Sequence, residues 1–130
     1  IEEYGPEFVR KVNIDPDNLA IVREGMQAVV SEGTGIRAKI PGLRVAGKTG
    51  TAQVVGNSGP LRGDQRDHAW FVAFAPADNP QIAIAVVVEH GGFGGQVAAP
   101  IAKSLLETWF TLPKEPQTVQ AAEPEPAEGD

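Results

Sequence analysis

The sequence has 130 residues, 42% of them hydrophobic, and a formal net charge of −6, which bounds it to one modest domain or a piece of a larger one. It contains no cysteine, which excludes thiol catalysis and disulfides, and no apolar run approaches the roughly 18 residues of a membrane span. Five acids and one lysine fall within residues 113–130, so the acidity belongs to the tail, and a near-neutral body without a basic stripe argues against nucleic-acid binding.

The chain begins at Ile1 rather than Met, the pattern expected of a processed product or an excised piece, with any upstream signal or anchor out of view. The first element is a helix from about residue 15. Asp15 can cap it, Pro16 suits its first turn, and Leu19, Val22, Met26 and Val29 follow at helical spacing before Gly33 and Gly35 stop it. Residues 43 to about 55 alternate as a strand. The glycine-rich connection GNSGPLRGDQRD leads to a second strand, residues 68 to about 75, with Ala69, Phe71, Ala73 and Ala75 on one face. Trp70, Val72 and Phe74 occupy the other, so this strand is expected to be covered on both sides.

After the turn signal PADNPQ comes a third strand, residues 82 to about 89, with bulky Ile82, Ile84, Val86 and Val88 opposite mostly small residues. The small face is expected to admit a helix closely. A last helix over about residues 96–110 follows HGGFGG, with Pro100 in its first turn and Ile101, Leu105 and Trp109 on one face. Trp70, Phe71 and Trp109 are read as core residues. The order is helix, three strands, helix: an α+β chain with an antiparallel sheet of three strands packed with helices. The division is residues 1–112 as the foldable part and residues 113–130, rich in Pro, Glu and Ala, as a disordered tail.

Gly42-Leu-Arg-Val-Ala-Gly47-Lys48-Thr49 fits the phosphate-loop pattern letter for letter. Its context does not. A phosphate loop needs a strand before it and a helix beginning at the Lys-Thr. Here a polar, proline-containing stretch precedes the motif, and Gly50-Thr51-Ala-Gln-Val-Val continues as a strand. The competing motif is Lys48-Thr49-Gly50, a tripeptide of β-lactamases and penicillin-binding proteins, which belongs on a strand.

The wider stretches GLRVAGKTGTAQVV, RDHAWFVAFAPADNPQIAIAVVVEHGG and GQVAAPIAK resemble the C-terminal part of the transpeptidase domain of class B penicillin-binding proteins. The Asp67-His68-Ala69-Trp70-Phe71 and Glu89-His90-Gly91-Gly92 stretches favour the elongation-type branch, that of penicillin-binding protein 2. One departure is Gly33-Thr34-Gly35, where alanine is expected at the third position; it is read as bearing on nothing catalytic. The resemblance implies the penicillin-binding protein/serine β-lactamase fold and a serine acyl-transferase that cross-links peptidoglycan stem peptides and is acylated by β-lactams. No cofactor and no metal are implied. The location implied is the periplasmic face of the bacterial inner membrane, through an anchor outside this sequence.

Lys48 and Thr51 are then the catalytic candidates, and Lys48, Thr49, Gly50, Thr51 and Gln53 the substrate-binding ones. The Thr51 amide can donate to a developing oxyanion, Thr49 and Thr51 hydroxyls to a substrate carboxylate, and Gly50 clears the approach to the backbone. Strict alternation puts Lys48 and Thr49 on opposite faces, so the pocket is expected along the strand's edge. Gln53 has a plain edge position as its alternative. Asp67, His68, Glu89 and His90 are read as strand-end residues, since two ligands do not make a metal site.

The companion motifs Ser-x-x-Lys and Ser-x-Asn are absent: the three serines, Ser31, Ser58 and Ser104, begin neither. The chain alone is therefore expected to be inactive. It is also expected to need the remainder of a transpeptidase domain and, lacking it, to associate as a dimer or aggregate. The alternatives are a class D β-lactamase or β-lactam sensor fragment, and a non-catalytic interaction module of the same fold.

Overall fold

Asp15 accepts a hydrogen bond from Asp17 N–H at 2.8 Å and Pro16 follows as the first residue of α1, Pro16–Ser31, as the capping pattern predicts. The structure is a computed structural model that describes residues 9–54 and 65–112. The tail over residues 113–130 and most of the connection between the first two strands lie outside the described residues. α1 ends where Glu32 N–H reaches Ala28 O at 3.1 Å and Gly35 N–H reaches Val29 O at 2.9 Å. A single 3₁₀ turn, Ile36–Ala38, comes next.

The first strand, β1, runs Ala46–Ala52, shorter at both ends than its alternating pattern. Pro41 and Gly42, the latter at φ 78°, turn the chain. Leu43 then bridges Ile40, and Arg44 O accepts from Ala77 N–H at 2.8 Å. The residues before Ala46 thus bond to turns rather than to the ladder. β2, His68–Ala75, and β3, Ile82–Val88, sit where expected. The sheet has the order β1-β2-β3 with both pairs antiparallel; Thr49 stands opposite Phe71, and Phe71 opposite Val86.

The core lies on one face of this sheet. Phe71 is 0% exposed and packs with Ala69, Ala73, Ala75 and Val86 against Ala98, Ala99, Ala102 and Leu106 of α2, Gly94–Thr111. Three expectations are corrected here. The bulky side of β3 is the covered one, while Ala83 and Ala85 are exposed. The closeness comes from small residues on α2 and β2 instead. On α2, the Ala98-Ala102-Leu106 stripe is buried, whereas Ile101 and Leu105 are 42% and 50% exposed. Trp109 is half-buried, and its indole N–H finds no partner among the described residues. Nor is β2 covered on both sides: Trp70 and Val72 are each 39% exposed. Burial on that face is strongest where Ala46 meets Phe74.

Small size is compulsory where α2 meets the sheet. A Cβ at Gly94 would overlap Trp70 O and fall 2.5 Å from Gly50 O, and one at Gly95 would overlap Thr34 O. That contact starts α2 two residues earlier than its sequence pattern suggests and places Pro100 inside the helix instead of in its first turn. Proline has no N–H, so Gln96 O loses its i+4 donor. Arg37 Nη1 donates to it instead, at 3.3 Å.

Gly94→Ala should cost about 1–3 kcal/mol through overpacking, read as a lower urea midpoint at unchanged slope. Arg37→Ala should cost roughly 0.5–1.5 kcal/mol in the natural sequence but little on a Pro100→Ala background, where the restored N–H serves Gln96 O; a double-mutant cycle measures this. Asp78 is held below its ordinary value of 3.8 by its own backbone N–H and then by Arg44, whose Nη2 is 3.0 Å away. A depressed carboxylate contributes stability above its unfolded pKa and loses it as pH falls through the folded one. Asp78→Asn should therefore lower the urea midpoint at neutral pH, and lower it progressively less as the pH falls below the ordinary value of 3.8.

Candidate active site

β1 is an edge strand of the described sheet, and its residues divide by parity. Gly50 O and Trp70 O lie close enough for one Cβ to meet both, the arrangement of an antiparallel pair that exchanges ladder hydrogen bonds. Their neighbours Thr49 and Thr51 therefore turn their N–H and C=O groups to the free edge. The Thr49 and Thr51 side chains share the face of Phe71 and Ala69, while Lys48 and Gly50 share the face of Val72 and Trp70.

The two threonines line an open cleft of about 430 Å³ with Gly33, Thr34, Arg37 and Phe93 among its other walls. Thr49 Oγ1 is 2.9 Å from Thr34 Oγ1. Lys48 does not line this cleft. Its Nζ donates to Thr49 O at 2.7 Å, which brings the ammonium to the same edge from the opposite face. The edge is thus where the lysine and the threonines converge. Gln53 follows the last strand residue and is outside the cleft lining.

Thr34, Arg37 and Gln96 escaped the sequence reading, and of the loop that carries Phe93 the composition showed only flexibility. Gly33-Thr34-Gly35 read as a helix stop and HGGFGG as a flexible connection. The only signal was the density of glycine on either side, a mark of close backbone approach. At Gly35, the departure from the family pattern, a Cβ would sit 3.0 Å from both Phe71 Cε2 and Val29 Cγ1. Glycine relieves that tight spot.

The hydrogen bonds of the two histidines pin the cleft's wall. His90, at φ 51°, donates its backbone N–H to His68 Nδ1 at 2.9 Å, and its own Nδ1 lies 3.1 Å from Arg66 O. His68 therefore carries its proton on Nε2, and His90 on Nδ1. Asp67 O accepts from Gly92 N–H at 2.8 Å, and Asp67 Oδ1 from Val54 N–H at 3.3 Å. Together these bonds fix residues 89–93, the segment that delivers Phe93 and Gly94. Among the described residues no three His, Cys, Asp or Glu gather as metal ligands. Ser31 Oγ and Ser104 Oγ bond their own helix carbonyls, Ala28 O at 3.4 Å and Pro100 O at 3.3 Å; Ser58 lies outside the described residues.

Residues 3–107 match the penicillin binding protein transpeptidase domain. The peptidoglycan D,D-transpeptidase MrdA of Acinetobacter baumannii is 45% identical over 100 residues, covering 72% of this chain and 15% of that protein. Among solved structures, PBP2 of Pseudomonas aeruginosa in complex with WCK 5153 is 42% identical, with a TM-score of 0.68 over 84% of this chain and 23% of that one. The imipenem acyl-enzyme of penicillin-binding protein A from Mycobacterium tuberculosis is 35% identical, with a TM-score of 0.57 over 72% of this chain and 20% of that one. The chain thus spans about 15% of the length of the MrdA relatives it matches. With its three-stranded antiparallel sheet, packed helices and Lys-Thr-Gly edge strand, the chain belongs to the penicillin-binding protein transpeptidase domain family.

Proposed function

We propose that residues 1–112 are the C-terminal portion of the transpeptidase domain of a peptidoglycan D,D-transpeptidase of the elongation type. The observation that carries this is the Lys48-to-Thr51 segment on an unpaired strand edge beside a hydroxyl-lined cleft, in a chain whose relatives bear that activity by name. In this reading a serine outside these 130 residues attacks the D-Ala-D-Ala amide, D-Ala leaves, and an amine of a neighbouring stem peptide takes the acyl group. β-Lactams acylate the same serine, as the imipenem acyl-enzyme of a relative illustrates.

The residues present serve binding and charge stabilisation. The Thr51 N–H, directed to the free edge, is the donor for the oxyanion. Thr49 and Thr51 hydroxyls receive the substrate's terminal carboxylate. Lys48 supplies positive potential at that edge and a proton-transfer partner for a serine of the missing Ser-x-Asn motif. Gly50 keeps the approach to the strand open, and Gln53 extends the binding edge beyond Thr51. Such chemistry acts on cell-wall precursors outside the bacterial inner membrane, which supports a location on that membrane's periplasmic face. None of the described helices is long and apolar enough to cross a membrane.

The rest of a transpeptidase domain is the partner proposed for the exposed Trp70 and Val72 and for the Ile101–Leu105 stripe of α2. Without it, these surfaces favour self-association. The present chain should give no covalent adduct with a labelled penicillin on a denaturing gel, and the full-length protein carrying it should give one. Lys48→Ala in that protein should slow acylation by roughly 10²–10⁴-fold. An adduct on the chain alone, or none on the full-length protein, would overturn the proposal.

A further inference from the structure

Thr34 lies outside the Lys-Thr-Gly strand, yet it is held against it from two sides. The turn that carries it is closed by the bond from Gly35 N–H to Val29 O at 2.9 Å. Its carbonyl sits under Gly95 so closely that a Cβ there would overlap it. Clamped in this way between the end of α1 and the start of α2, Thr34 presents Oγ1 to Thr49 Oγ1 at 2.9 Å, and both residues line the cleft. The Thr49 methyl is packed as well: its Cγ2 is 3.4 Å from where a Cβ on Gly95 would lie. The Thr49 rotamer is therefore held by a hydroxyl contact and by the packed start of α2.

A hydroxyl has one proton and two lone pairs. If Thr49 donates to Thr34, it has no proton for a ligand. When a carboxylate enters the cleft, Thr49 can donate to it and keep this bond only if Thr34 donates to Thr49. The anion thus orders a chain from Thr34 O–H to Thr49 O–H to carboxylate, in which each donation polarises the next. Thr34 is exposed, so loss of its hydroxyl removes this polarity without opening the core.

We infer that Thr34 is a positioning residue for the acyl donor's carboxylate, acting through its 2.9 Å bond to orient the Thr49 hydroxyl. This rests on the transpeptidase reading above and adds to it a residue that the Lys-Thr-Gly motif does not contain.

The test uses the full-length protein and a labelled penicillin with a free carboxylate, resolving acylation into an apparent Kd and a first-order acylation rate constant. Thr34→Val should raise Kd roughly 3–10-fold, the scale of one lost hydrogen bond, and leave the acylation rate constant within about twofold. Thr34→Ser should restore Kd. On a Thr49→Val background Thr34→Val should have no further effect, and a penicillin with its carboxylate esterified should not distinguish Thr34→Val from the unaltered protein. Should Thr34→Val fail to fold, Thr34→Ala, which only removes atoms from an exposed position, carries the same expectation. An unchanged Kd, equal weakening of the ester, or no rescue by serine overturns this assignment alone. Absence of any adduct on the unaltered protein overturns the proposed function, and this assignment with it.

Discussion

The structure depends on a place where backbone touches backbone. At Gly94 the first turn of α2 lies against the carbonyls of Gly50 and Trp70, and at Gly95 against the carbonyl of Thr34. Four segments distant in sequence meet there: the turn after α1, β1, β2 and α2. Side chains would hold them apart, so the pair of glycines sets the spacing that the alanines Ala98, Ala99 and Ala102 then maintain along the helix. The cleft is the hollow left where this contact ends. Its walls are consequently parts of the core's own scaffold rather than loops laid over it.

Close packing of α2 has a side effect at Pro100. Because the helix must begin at Gly94 to make its contact, the proline falls inside it and strips Gln96 O of its helical donor. Arg37 fills that gap from the 3₁₀ turn. A cation that lines the cleft is thus partly committed to mending a helix. The two histidines are similar. Their hydrogen bonds hold residues 89–93 in place against the start of β2, which is a fold-building role beside the site.

Much of the fold was legible because its signals are local. Asp15-Pro16 announces a helix start, and the alternation from His68 to Ala75 gives a strand with those very bounds. Non-local facts left no such trace. Bulk on β3 suggested that the small side faces a helix, but small residues on the helix do that work, so the bulky side is inward. The Ile101-Leu105-Trp109 stripe has the bulkier side chains at the same i, i+4, i+8 spacing, yet Ala98-Ala102-Leu106 is the stripe buried in the described chain. For the site, Lys48 to Thr51 could be read directly from the motif. Thr34 could not, because a threonine between two glycines reads as a turn, and its partner stands fifteen residues away.

An open strand edge serves recognition and invites trouble by the same geometry. The N–H and C=O groups that Thr49 and Thr51 turn outward would accept another copy of the strand as readily as an extended ligand. Natural sheets commonly guard such edges with a lysine, and Lys48, bent onto Thr49 O, stands at this one. Two copies brought edge to edge would have to bring two ammonium groups together and strip each from its carbonyl. An anionic ligand meets no such penalty, so the charge that welcomes a carboxylate also discourages the strand from pairing with itself.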